Sequence, residues 1–143
     1  MCAGAVQYLE NQSLISDFST ADSRSKTELR HHIYVDEHSE WLRKAAKFTN
    51  GQWAQFRWEN EQWKPRVIGV RNVPYGLDRL RDANNDELCF VFEGEKDVER
   101  AWHNGLIATC NVGGAGKWAN DLNQYLVGKT VCIVPDNDEA GSN

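Results

Sequence analysis

The chain has 143 residues, 41% hydrophobic and 26% charged, with a net charge of −5, which fits one compact domain, or a small module packed on a second. No apolar run approaches the roughly 18 residues of a membrane helix, and the opening Met1 to Gln7 has neither the basic nor the apolar region of a secretory signal. Cys2, Cys89, Cys110 and Cys132 show no close pair and no CxxC spacing, which argues against a disulfide framework or zinc knuckle and for reduced thiols in a cytoplasm.

The first thirty residues are polar, with a Ser/Thr/Asp cluster at 16–25, and read as an arm. Residues 31–72 read as a small antiparallel β module. His32 to Val35 is followed by a polar turn, then by Trp41 to Phe48. Asn50-Gly51 then signals a two-residue type I′ hairpin into Gln52 to Trp58, and a short strand ends near Val70. That turn places Phe48 opposite Trp53 and Lys47 opposite Ala54. Trp41, Ala45, Ala54, Phe56 and Trp58 then share the expected core face, and Lys44, Phe48, Trp53, Gln55 and Arg57 the open one. Lys44, Trp53 and Arg57 there are candidates for stacking bases and neutralising phosphate; a plain hairpin with snorkelling cations explains the pattern equally well.

Residues 73–87 form a connector with a short helix at Leu77 to Arg81. From Leu88 the pattern alternates: apolar run Leu88 to Phe92, helix Lys96 to Asn104, run Leu106 to Cys110, helix Trp118 to Leu126, run Val131 to Val134. Unbroken apolar strands joined by crossovers predict a parallel sheet covered on both faces, hence an α/β fold class. Charge follows the same division. Arg24 to Asp82 has a balance of +4 and Ala83 to Asn143 one of −6, which suits a polyanion held in the middle and cations ligated later, or merely unevenly ordered surface charge.

Strands of a parallel sheet deliver their ligand-binding residues at their C-terminal ends. The first exits into Glu93-Gly94-Glu95-Lys96-Asp97, the second into Asn111 to Lys117, the third into Pro135-Asp136-Asn137-Asp138-Glu139. Carboxylates so concentrated repel one another unless a cation neutralises them, and all-oxygen ligation suits Mg²⁺ or Mn²⁺. Asp136 and Asp138, two apart, point to one side of an extended segment, and Glu93 joins them if its strand is a neighbour. The alternative for Asp97 or Asp138 is helix capping. The glycine loop is no P-loop, because Asn111 and Trp118 occupy two of its required positions. Gly113, Gly114, Gly116 and Lys117, with Lys96, still offer N–H groups and charge to a phosphate.

Together, Glu93-Gly94 and Asp136-Asn137-Asp138 resemble the signature of the TOPRIM domain. The stretches 91–97, 111–118 and 133–141 look most similar to phage and plasmid primases and primase-helicases, with Val73-Pro74-Tyr75 resembling the segment that precedes TOPRIM in them. The resemblance implies Mg²⁺-dependent nucleotidyl transfer, with RNA primers made from nucleoside triphosphates on a single-stranded DNA template, possible association with a replicative helicase, and no membrane. Glu93, Asp136 and Asp138 would be the catalytic and metal-binding residues. A TOPRIM-type nuclease or a non-catalytic nucleic-acid-binding remnant are the alternatives. Such domains continue past the Asp-x-Asp with a further helix and strand, so the resemblance implies a fragment of a larger protein, its 88–143 domain incomplete and its sheet left with an exposed edge. Upstream zinc-ribbon cysteines and a helicase P-loop, frequent in such proteins, are absent from this sequence.

Overall fold

The computed structural model describes residues 26–114 and 117–136. It is a mixed α/β structure with two sheets, and most of the expected elements are present. Strands β1 (Glu28–Val35), β2 (Trp41–Phe48), β3 (Trp53–Glu59) and β4 (Gln62–Pro65) form an antiparallel sheet in sequential order. The first strand thus begins at Glu28, inside what the polar composition marks as an arm. Helix α1 (Leu77–Asp82) leads into β5 (Leu88–Phe92), α2 (Glu95–His103), β6 (Ile107–Thr109), a 3₁₀ helix (Asn120–Leu126) and β7 (Thr130–Val134). These last three strands make a parallel sheet in the order β6-β5-β7.

The β2–β3 hairpin departs from expectation by one residue. Lys47 faces Trp53 and Ala46 faces Ala54. The loop has three residues, Thr49-Asn50-Gly51, closed by Phe48 N–H donating to the Gln52 carbonyl and Gly51 N–H to the Phe48 carbonyl, each at 2.9 Å. Gly51, at φ 81°, supplies the left-handed residue that such loops need, and the Asn50 side chain accepts from the Gln52 N–H at 3.1 Å. The type I′ conformation occurs at the next turn, where Asn60 and Glu61 both have positive φ.

A one-residue slip exchanges the faces of a strand. The register places His32, Tyr34, Arg43, Ala45, Lys47, Trp53, Gln55 and Arg57 on one face, and the part of it that carries His32, Tyr34, Arg43 and Ala45 packs on the rest of the protein. Lys44, Phe56 and Trp58 lie on the other, where Trp41, Trp58 and Trp63 form an aromatic cluster with ring centroids 4.8–5.5 Å apart. The expectation that Trp41, Phe56 and Trp58 turn to the core is therefore corrected; they cover the outside of the sheet.

The inner face joins the two sheets. Side chains two apart on a strand repeat every ~6.7 Å and residues four apart on a helix every ~6 Å, so β1 and α2 meet in step. The Tyr34 hydroxyl donates to Glu95 at 2.8 Å, and His32 Nδ1 lies 2.8 Å from Glu99, one helical turn on. Tyr34, Ala45, Val73, Tyr75, Leu77, Val98, Ala101, Ala108 and Cys110 form a single apolar cluster. The connector is part of this packing: Tyr75 N–H donates to the Cys110 carbonyl, and the Thr109 hydroxyl to the Tyr75 carbonyl.

Two expectations for the parallel sheet need correction. The segment after the glycine loop is a 3₁₀ helix starting at Asn120, not a helix from Trp118; Asn120, Asp121 and Asn123 are weak α-formers that favour local side-chain hydrogen bonds. Strand β7 is not covered on both faces by the described residues, since Ile133 is 75% exposed and Val131 37%. No helix among the described residues is long and apolar enough to cross a membrane.

Candidate active site

The three strand exits converge at the C-terminal edge of the parallel sheet. Glu93 is the first residue beyond the central strand β5. Because Phe92 pairs with Val134 across the β5–β7 ladder, Glu93 is level with Pro135, and Asp136 follows one residue later. The glycine loop comes in from the other side of β5. A Cβ built on Gly114 would lie 3.9 Å from the Glu93 carbonyl oxygen, so that loop runs beside the Glu93 backbone. A cleft of about 410 Å³ is lined by residues from all three exits, including Glu93, Asn111, Gly114, Trp118 and Pro135, with Val131 and Ile133 among its apolar lining.

Gly113 and Gly114 have φ of 94° and 78°, a left-handed pair that only glycine adopts readily. The Lys117 side chain folds back over this turn, so that a Cβ on Gly113 would fall 3.3 Å from its Cδ. Lys117 and Lys96 are both exposed, the second at the start of α2. Gly116 and Asp138 lie outside the described residues, so the Asp136–Asp138 pairing has no structural account here. Among the described residues no group of three or more His, Cys, Asp or Glu side chains stands close enough to hold a metal.

The acids of the first exit divide by partner. Glu95 accepts from Tyr34, and Glu99 on the same helix is bound by His32 and by the Tyr75 hydroxyl at 2.7 Å. Asp97 meets Arg100 at 3.5 Å. Glu93 alone of these lines the cleft, and neither it nor Asp136 has a salt bridge among the described residues. Glu93 and Asp136 stand at the ends of adjacent strands beside the Gly113–Gly114 turn, and are the described residues that could hold a hard cation such as Mg²⁺, which takes one or two protein carboxylates and completes its shell with water and phosphate oxygens.

Between the β module and the connector lies a buried polar layer that sequence patterning did not single out. Arg43 is 5% exposed; it donates to Asn72 Oδ1 at 2.8 Å and to the Val73 carbonyl, and its guanidinium lies 4.7 Å from the Tyr34 ring centroid. Burial draws its pKa down from the usual arginine value. Burial likewise pushes Tyr34, Tyr75 and Cys110 above their ordinary values, and the nearby Glu95 and Glu99 add to the shift. The one sequence signal for this layer is Arg43 itself, a cation that falls between Trp41 and Ala45 on the face expected to be apolar.

Of the nucleic-acid candidates, Trp53 and Arg57 share the inner face, while Lys44 stands on the outer face, bridged to Glu28 at 2.8 Å and lying over the Phe56 and Trp63 rings. Arg57 donates to the Pro65 and Arg66 carbonyls and pairs with Glu59. Comparison of the sequence with protein-family models and with curated proteins gives no match.

Proposed function

We propose that the cleft at the sheet's C-terminal edge is a magnesium-dependent nucleotidyl-transfer site of the DNA primase type, acting on nucleoside triphosphates opposite a single-stranded DNA template. The observation that supports this reading is that Glu93, the glycine turn and the segment leading to Asp136 meet at one cleft although they come from three different strand exits. Glu93, Asp136 and Asp138 would hold the metal, which when bound supplies charge neutralisation and acidifies an attacking hydroxyl. The chain's own contributions are positional. Backbone N–H groups of the Gly113–Gly114 turn and the Lys117 ammonium are suited to the triphosphate, with Lys96 adding charge nearby. Trp118 and the apolar residues Val131 and Ile133 border the same cleft.

Asp136→Asn tests the assignment. It removes a charge from an exposed residue beyond β7, so the circular dichroism spectrum and urea midpoint should stay unchanged. Primer synthesis on a single-stranded template with Mg²⁺ should fall at least a hundredfold. Synthesis retained at the native level overturns the proposal. Shortened template in the absence of nucleotides, abolished by the same substitution, would assign the site to a nuclease instead.

A further inference from the structure

The inner face of the β module extends beyond its contact with α2, and that extension is basic. By register Arg30, Lys47 and Trp53 form one row across β1, β2 and β3, with His32, Ala45 and Gln55 in the next row and Arg57 and Lys64 beyond. Among the described residues, Glu59 is the acid that pairs with these cations, bridging Arg57 and Lys64. A concentration of positive charge is conspicuous in a chain whose net charge is −5.

Trp53 is 47% exposed, yet its indole is held in place. It stacks on the buried His32 ring with centroids 6.0 Å apart and planes 21° from parallel, and the Arg30 guanidinium lies 5.3 Å from its centroid. The small side chain of Ala45, beside His32 on β2, leaves room for the rings to meet. His32 is itself fixed by Glu99, so the platform is anchored to α2. Two buried polar atoms beside it, Arg30 Nε and Gln55 Oε1, lack a hydrogen-bond partner among the described residues. Next to Trp53, an open groove of about 680 Å³ follows the edge of β3 past the end of β4, with Arg66 and the 74% exposed Ile68 on its far wall.

We infer that this row and groove bind single-stranded DNA, with a base stacked on Trp53 and flanking phosphates held by Arg30, Lys47 and Arg66. A single strand alternates an aromatic face with a charge, and so uses both the preordered indole and the cations around it. An acidic peptide would satisfy the cations and leave the indole idle. The inference rests on the primase reading for the choice of DNA and deepens it by giving the template strand a binding surface, and Lys44, on the opposite face, has no part in it.

Fluorescence anisotropy of a labelled oligothymidylate of about 15 nucleotides, with the full chain in EDTA and without nucleotides, reads this surface independently of catalysis. Trp53→Ala should weaken binding about tenfold or more and Trp53→Phe much less. Trp41→Ala, on the outer face, should leave affinity unchanged. Replacing Arg30 and Lys47 together by Gln should flatten the dependence of log affinity on log salt by about 1.4, at ~0.7 per phosphate contact on a single strand. The inference is overturned if no binding is seen, if Trp53→Ala matches the native chain, if Trp41→Ala weakens binding equally, or if heparin or an acidic peptide competes as well as the oligonucleotide. Loss of primer synthesis in Asp136→Asn with binding intact would separate a failure of the cleft from a failure of this surface.

Discussion

Gly76 shows how one residue can fix the junction between the two sheets. It sits at φ 74° immediately before α1, and a Cβ there would fall 2.4 Å from Trp102 Cζ2. The indole cannot easily move aside. Its Nε1 donates to the Ala108 carbonyl at 3.0 Å, Tyr75 packs at 5.0 Å between centroids, and the Arg79 guanidinium lies 4.4 Å from it. Gly76→Ala therefore combines left-handed strain with overpacking, and the expected cost is about 2–4 kcal/mol. Gly51 is the control: its φ is 81°, but nothing stands within 4 Å of its virtual Cβ, so Gly51→Ala should cost only the backbone strain of about 1 kcal/mol. Urea midpoints of the two variants test the comparison, and equal losses would contradict the steric argument.

At the scale of elements, the two hairpins of the β module divide the usual turn signals in an unexpected way. Asn50-Gly51 falls within the three-residue loop Thr49-Asn50-Gly51, and the tight turn falls to Asn60-Glu61, where Glu61 holds φ 59°. Glutamate gains nothing from that conformation, which glycine adopts without a Cβ clash. Glu61→Gly should raise stability by roughly 0.5 kcal/mol with the Glu59–Gln62 register unchanged, seen as a small upward shift in urea midpoint; a decrease would mean that the Glu61 side chain contributes more than its backbone costs. This loop choice also explains what was legible in the sequence. The β5 run and the helix after it were readable because an unbroken apolar stretch reads as a buried strand and Gly105 marks a helix end. The face assignment of β2 and β3 was not, because both loop lengths satisfy Asn-Gly and the two readings differ by one residue. The exposed tryptophans added to the ambiguity, since large aromatics usually mark a core and here they cover the outside of a sheet. For the candidate site, the order β6-β5-β7 makes neighbours of the strands bearing Glu93 and Asp136, a condition that the sequence reading posed but could not show. The engagement of Glu95 and Glu99 by Tyr34 and His32 was hidden, because it depends on β1 lying along α2, a contact some sixty residues distant in the chain.

On the scale of the whole molecule, that contact makes the two sheets one unit. Tyr34 and Ala45 belong to the same apolar cluster as Val98, Ala108 and Cys110, so exposing one sheet strips the core of the other and far- and near-ultraviolet signals should unfold together. The same junction makes the protein sensitive to alkali. Tyr34, Tyr75 and Cys110 are 0%, 6% and 0% exposed, and burial beside Glu95 and Glu99 raises all three above their ordinary values of 10.0, 10.0 and 9.0. In the unfolded chain these groups release their protons as pH passes those values; in the folded chain they keep them. The folded state then binds more protons than the unfolded one, so the stability present below pH 9 is progressively lost above it, by up to about 1.4 kcal/mol per pH unit for each group that ionises on unfolding. Tyr34→Phe removes one titrating group and one hydrogen bond to Glu95. It should cost about 1 kcal/mol at pH 7.5 and show a shallower decline between pH 9 and 11 than the native chain. Urea unfolding across that range measures both slopes, and parallel slopes would show that Tyr34 ionises as freely in the fold as outside it.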